Sequence, residues 1–398
     1  MDKPKHLYDA LDERYLVNTL VHLMKIPTDV PLGPQTLIDP DHPKLVAYVQ
    51  DVIRPELQNI GVYEIMDAPL NQFVVRMGEG TSDRALLIMA YTPTQHANLM
   101  KDPFSGKIAV PRQAPSKGPC VFGQGASQNK AHMAAMLSVL KLLVDTGTRL
   151  SGTLYFAVNN EGRSSHHCTE ALLPLLDPAP GAAILAIGTD MRLSIGNRGR
   201  VDIYVHVKGE PTHSSDPASG LSAIDGAYHV MKRLEGLKPH ESHPLLGAQQ
   251  LIPYQVVYDP VAPHTLPATA KLTLDRRLLP GEDIDAAVKA VEETLTGMAP
   301  YEINVEKGVF MLPSLTEEDS DIVKRLKSST LRVTGKEAEH YYSKSTFDAG
   351  GCTSEGIPAV MFGASGGDPD ILGEDYVPIG EVVQEAKILI DTIVDMLA

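Results

Sequence analysis

The chain has 398 residues, 43% of them hydrophobic and 21% charged, which is enough apolar material for a large core and a length that predicts two domains. Its formal net charge of −15 opposes attraction to phosphate backbones, and no basic stripe with interleaved aromatics offsets it, so nucleic acid is excluded as a partner. The three cysteines, Cys120, Cys168 and Cys352, are far apart and odd in number, which argues against a disulfide framework and for a reducing compartment.

The start, "MDKPKHLYDALDERYLVNTL", is charged within its first five residues and lacks the apolar core of a signal peptide. No run of about 18 apolar residues follows, so no membrane partner is expected and the predicted location is cytoplasmic. Helical spacing of Leu11, Leu16, Leu20, Leu23 and Met24 predicts a first helix over 10–26. A second helix follows in "DPDHPKLVAYVQDVIRPELQNIG", with Gly61 as its stop. "QFVVRMG" and "ALLIMAY" read as buried strands, "NKAHMAAMLSVLKLLVDTG" as an apolar helix, and "GTLYFAV" and "AAILAIG" as further strands. This alternation predicts an α/β fold, a mainly parallel sheet flanked by helices. From residue 199 the pattern changes. "GRVDIYVHVKGEPTHSS" alternates in twos, "AIDGAYHVMKRLEGL" is helical, "TAKLTLDRRLLPGED" is a strand, "IDAAVKAVEETLTGM" a helix and "YEINVEK" a strand. An inserted α+β module is therefore expected over 199–308, between the two parts of the first domain, 1–198 and 309–398. The second part holds "SDIVKRLKSSTLRVTG", "IPAVMFG" and a C-terminal helix.

Several of these segments carry a resemblance in order and spacing. They are "DPF" at 102–104, "GQGASQNKAHMAAML" at 123–137, "GNRGRVDIYVHVKGEPTHSSDPASGLSAI" at 196–224, "LTLDRRLLPGED" at 272–283, and "GIPAVMFGASGG" followed by "EDYVPIGEV". Together they resemble the zinc exopeptidase-like amidohydrolases, which include aminoacylase, acetylornithine deacetylase, succinyl-diaminopimelate desuccinylase and glutamate carboxypeptidase. The resemblance implies a catalytic domain and an inserted lid that often dimerises, hence a homodimer or higher homo-oligomer. It also implies two divalent metals held by His, Asp, Glu, Asp or Glu, and His, with a separate Glu as base. Such a pair turns bound water into hydroxide near neutral pH, and the Glu moves its proton to the leaving nitrogen.

The chain departs from that plan. The G-H-x-D motif falls on Ala90, Tyr91, Thr92 and Pro93, and the bridging aspartate falls on Gln128. In "NNEGR" either Asn160 takes the base position and Glu161 a ligand position, or Glu161 is the base and Gly162 stands for the lost ligand; a gapless placement leaves Gly162 and Arg163. The last histidine becomes Asp370 when counted from Glu374, or Ile371 when counted from Asp375. A standard two-zinc centre is not expected.

The candidate replacements are Asp190, at a strand end where the resemblance places a carboxylate ligand, Glu161 as ligand or proton shuttle, and Asp370 in an acidic, turn-rich loop. His96, five residues after Tyr91, and His132, four residues after Gln128 and so on one helix face with it, are substitute ligands to be weighed against ordinary packing. His166 and His167 are adjacent, so at most one should face a common centre. If these groups converge they suit one labile divalent ion, Mn²⁺ or Zn²⁺; if not, the protein is metal-free. The resemblance also places His213 where a histidine reaches a neighbouring subunit's active site and polarises the scissile carbonyl, a contribution of about 3 kcal/mol in comparable oxyanion sites. It places Arg277 where an arginine grips a substrate carboxylate, His264 near a substrate-contacting asparagine, and Gly350 and Gly351 where backbone nears the substrate. Tyr91 completes the set as a polar residue in the site loop.

The expected function is hydrolysis of a carbon–nitrogen bond, amide or amine, in a small carboxylate-bearing molecule at a remodelled single-metal site. The alternatives are a noncatalytic relative that keeps binding or assembly, and a metal-independent enzyme using Tyr91, Glu161 and a histidine.

Overall fold

The structure is a computed structural model and describes residues 6–30, 38–81, 84–94, 100–161, 166–237, 241–367 and 374–398. Two compact units emerge. The first comprises Met1–Gly196, Leu315–Tyr341 and Gly351–Ala398, and the second Asn197–Ser314 and Tyr342–Gly350.

In the first unit the opening helix is Glu13–Met24. It starts where the Asp12 side chain accepts the Tyr15 N–H, leaving Leu11 outside, and it buries Leu16, Leu20, Leu23 and Met24. The helical stretch that follows runs as Pro43–Val46, a π-helical segment Ala47–Ile53, and Arg54–Asn59. Gly61, at φ 90, takes the left-handed turn that ends it. The central sheet has nine strands and is mixed rather than mainly parallel. Its parallel core is Thr153–Asn159, Ala85–Tyr91, Ala182–Ala186 and Ala359–Phe362. The hairpin Ile65–Ala68 with Gln72–Met77 adds antiparallel strands on one side, because its tight turn allows nothing else. Buried on both faces, the three longer parallel strands are nearly continuous apolar runs. Helix Ala131–Asp145 is buried along almost its whole length and packs against the C-terminal helix Ile379–Leu397.

The second unit is a four-stranded antiparallel sheet in the order Gln250–Asp259, Thr269–Leu278, Gly199–Lys208, Glu302–Met311. Helices Ala223–Leu234 and Ile284–Thr294 cover one face. Val201, Ile203, Val205 and Val207 alternate onto that face and pack with Leu272, Leu274, Val230 and Val291. The edge strand Gln250–Asp259 escapes a pattern reading because Pro253 interrupts it, and in the structure the register shifts between Pro253 and Gln255. Tyr342–Gly350 joins this unit from far along the chain. Among the described residues no helix is long and apolar enough to cross a membrane.

Candidate functional site

Ligands of open α/β sheets gather at the carboxyl ends of the parallel strands. Here those ends are occupied by the protein itself. Tyr91, the last residue of its strand, is only 3% exposed and lies beside Asn159 in register. The Thr92 hydroxyl donates to Asn160 Oδ1, and both donors of the Asn160 amide reach backbone carbonyls, Leu70 O at 2.9 Å and Asn71 O at 2.8 Å. Asn159 Oδ1 accepts the Glu161 N–H at 2.6 Å, while its amide donates to Thr169 Oγ1 at 3.2 Å. Glu161 is buried, and its Oε2 accepts the Cys168 N–H at 2.9 Å. The Asn129 amide donates to the Pro93 carbonyl.

Asp190 faces elsewhere. Its side chain is 62% exposed and stands 3.8 Å from Arg192, whose guanidinium lies over the Tyr341 ring. Both Asp190 and Met191 have positive φ, and the turn is fixed by Ser365 Oγ accepting the Asp190 N–H at 3.1 Å and Gly363 O accepting the Met191 N–H at 3.0 Å. Non-glycine residues held in this region are costly and cluster at functional sites.

His132 is not an available ligand, because both ring nitrogens are used. Nε2 donates to Ser127 O at 3.2 Å and Nδ1 meets Glu385 Oε1 at 2.8 Å, with both side chains fully buried. Glu385 Oε2 in turn accepts the Ala364 N–H at 2.9 Å. The adjacent histidines diverge: His166 is buried, and burial pulls its imidazole down to about 4, whereas His167 is exposed. His96, Asp370, Gly162, Arg163 and Ile371 lie outside the described residues.

Two buried charges have no role in the sequence reading, although Asp375 serves there as an alternative alignment point. Asp375 accepts the Gly125 N–H at 2.6 Å and the Ser127 N–H and Oγ–H at 3.3 and 3.1 Å, and burial raises its carboxyl to about 6 against those bonds. Tyr376 follows it in a strand paired with Cys120–Phe122. Asp375 is thus the buried acid of the Glu374–Asp375 pair. Lys130 is wholly buried, donates to Leu23 O at 3.1 Å and to Ile26 O, and is pulled by burial down to about 7. It closes a π-helical turn, Ala126–Lys130, two residues after Gln128.

In the second unit, His213 is exposed on the short strand Thr212–His213, paired with Thr265–Leu266. Its Nδ1 accepts the Ser215 N–H at 3.2 Å and stands 2.8 Å from Ser215 Oγ, an arrangement that fits a ring proton on Nε2. The His264 ring lies 6.0 Å off, on a residue with φ 53. Arg277 is half-buried and bonds Asp275 at 2.7 Å. Directly opposite the Arg277–Asp275 pair on the neighbouring strand stand Arg200 and Asp202, and the Tyr254 hydroxyl reaches Asp202 at 3.3 Å. Both glycines are closely packed: a side chain on Gly350 would strike the backbone of Leu312, and one on Gly351 would press Thr169 and the His166 ring at 3.1 and 3.2 Å.

Residues 195–301 match the family model of the peptidase dimerisation domain. Carboxypeptidase G2 of Pseudomonas sp. (strain RS-16) is 25% identical over 259 residues, 62% of this chain, and the match spans 58% of that relative. The chain is similar to M20 peptidases in this domain and in its fold. An M20-family metallo-carboxypeptidase from Sulfolobus solfataricus superposes with a TM-score of 0.75 at 16% identity, covering 95% of this chain and 98% of the other. A dinuclear metal-binding peptidase of the M20 family from Bacillus subtilis gives 0.67 at 14% identity over 97% and 98%.

The dinuclear centre of that Bacillus M20 peptidase can be tested against the donors present in this chain. At the ligand positions assigned by the resemblance stand a tyrosine, a proline whose carbonyl is already used, the amide of Gln128, the inward-turned Glu161 and the outward-turned Asp190. Among the described residues no group of three or more His, Cys, Asp or Glu could hold a metal ion. These donors do not fit a two-metal site. The physical reason is that amides and carbonyls carry no charge to offset two cations, and the carboxylates that remain point apart.

Proposed function

We propose that this chain is an M20-fold binding protein for a small amide- or peptide-like molecule bearing a carboxylate, in which recognition has outlived two-metal hydrolysis. One contrast carries the reading: the strand-end polar groups bond to the protein itself, whereas His213 and His264 stand in solvent with a proton on His213 Nε2 to offer to a carbonyl. Arg277 supplies the cation for a carboxylate and stands at the far end of strand Thr269–Leu278 from the His213–Thr265 pairing, so the His213 that meets the same small ligand is that of a second copy. The carboxylate must compete with Asp275, so affinity is expected in the micromolar range or weaker. Titration calorimetry of metal-depleted protein with dipeptides and N-acetyl amino acids tests this. Binding without turnover is expected, and His213→Ala should weaken it about tenfold, the worth of one good hydrogen bond.

A second reading is carbon–nitrogen hydrolysis at one labile divalent ion bound at Glu161, without the outward-turned Asp190. It is favoured by the carboxylate kept at Glu161, 1% exposed at a strand end. Turnover that appears only on adding Mn²⁺ or Zn²⁺ would select it over the first.

The assembly proposed is a homodimer through the second unit. The edge strand exposes Ile252, Tyr254, Val256 and Val257, and helix Ala223–Leu234 exposes Ile224 and Tyr228. An uncovered apolar edge of this kind calls for a partner strand, and the match to a dimerisation domain supports a second copy as that partner. Light scattering on a sizing column should report a dimer for the native chain and a monomer for Val257→Arg.

A further inference from the structure

We infer that position 160, where one placement of the resemblance puts the catalytic base, has become an obligate neutral amide that clamps the Leu70–Asn71 turn over the strand end, so that a carboxylate can no longer stand there. The turn joins Ile65–Ala68 to Gln72–Met77, and both of its residues are left-handed, Leu70 at φ 61 and Asn71 at φ 56. Asparagine tolerates that conformation, but leucine adopts it only where surrounding bonds enforce it. The enforcing group is Asn160. Its two amide protons are both spent, on Leu70 O at 2.9 Å and Asn71 O at 2.8 Å, and its oxygen takes the Thr92 hydroxyl. Asn160 is 2% exposed and Thr92 is fully buried, so water does not compete.

The chemistry of the residue decides the matter. An amide offers two donors and one carbonyl; a carboxylate offers none when ionised. Aspartate is nearly the same shape, yet at position 160 it would aim negative oxygen at two carbonyl oxygens, and glutamate would do the same with a longer arm. The turn and an ionised acid at 160 are therefore mutually exclusive. This goes beyond the binding reading and does not rest on it, because it concerns the unliganded fold.

Thermal unfolding of the full chain tests the clamp. Asn160→Ala should lower the melting midpoint by about 4–8 °C, the effect of orphaning two buried carbonyls in a unit of this size. In Asn160→Asp the native state should favour the protonated acid, so its deficit relative to the native chain should be small near pH 4 and widen steadily to pH 7.5. Thr92→Val, which loses one bond and keeps its shape, should cost less, and the double variant Thr92→Val/Asn160→Ala should cost less than the sum of the two. Additive losses, a midpoint unchanged in Asn160→Ala, or an Asn160→Asp deficit that does not vary with pH would each overturn the inference. Failure of ligand binding is read by calorimetry alone, so the two proposals fall separately.

Discussion

The strand ends of the first unit and the His213 region of the second unit carry equally conspicuous polar residues, yet they use them in opposite ways. Around Tyr91, Asn159, Asn160 and Glu161 the side chains are buried and most of the polar atoms have partners within the same unit. At His213 and His264 the rings are exposed, and of the two only His213, through Nδ1, makes a side-chain hydrogen bond among the described residues. A buried polar group must be satisfied by the fold or it destabilises it, whereas an exposed one is free to wait for a ligand. Residue identity alone does not separate these roles; environment does.

The comparison breaks most readily at its buried side. His132→Ala strips the partner from Glu385 in a fully buried pair, and should cost about 3–5 kcal/mol in denaturant unfolding; a loss under 1 kcal/mol would show the pair to be dispensable. Asp375 comes next, through pH. Its folded carboxyl lies near 6 against 3.8 for the free group, so the native state holds its proton more tightly. The stability this confers is present below about pH 4 and is lost as pH rises through 6, about 3 kcal/mol in all. Asp375→Asn should remove that slope from the pH profile of unfolding. Arg277→Ala breaks a partly buried pair with Asp275 and should cost about 1 kcal/mol of stability. Smallest of all, His213→Ala should leave stability within about 0.5 kcal/mol while weakening ligand binding, and a large loss of stability there would erase the distinction between the two regions.

Much of the fold was legible. The strands Ala85–Tyr91, Thr153–Asn159 and Ala182–Ala186 announce themselves as uninterrupted apolar runs, and the module around Gly199–Lys208 by its alternation. The edge strand Gln250–Asp259 was hidden by its proline and by exposure on both faces, which leaves no burial pattern to detect. The site was legible only as a set of absences. The replacements at Tyr91, Pro93 and Gln128 are visible letter by letter, but whether His132 would stand in as a ligand depended on Glu385, 253 positions away, and no local pattern reports a partner at that distance.

Local chemistry thus settled what the sequence could settle alone: which segments are apolar enough to be strands or helices, and that a tyrosine, a proline and an amide stand at Tyr91, Pro93 and Gln128. Only the tertiary structure decided where each polar atom is spent. That Asn160 faces two carbonyls, that Glu161 turns inward while Asp190 turns out, and that Asp375 rather than Glu374 caps the Gly125–Ser127 turn all follow from chain segments meeting in space. Hydrogen bonds and burial act over a few ångströms, whereas Asn160 and Leu70 are 90 positions apart along the chain and Asp375 and Gly125 are 250 apart.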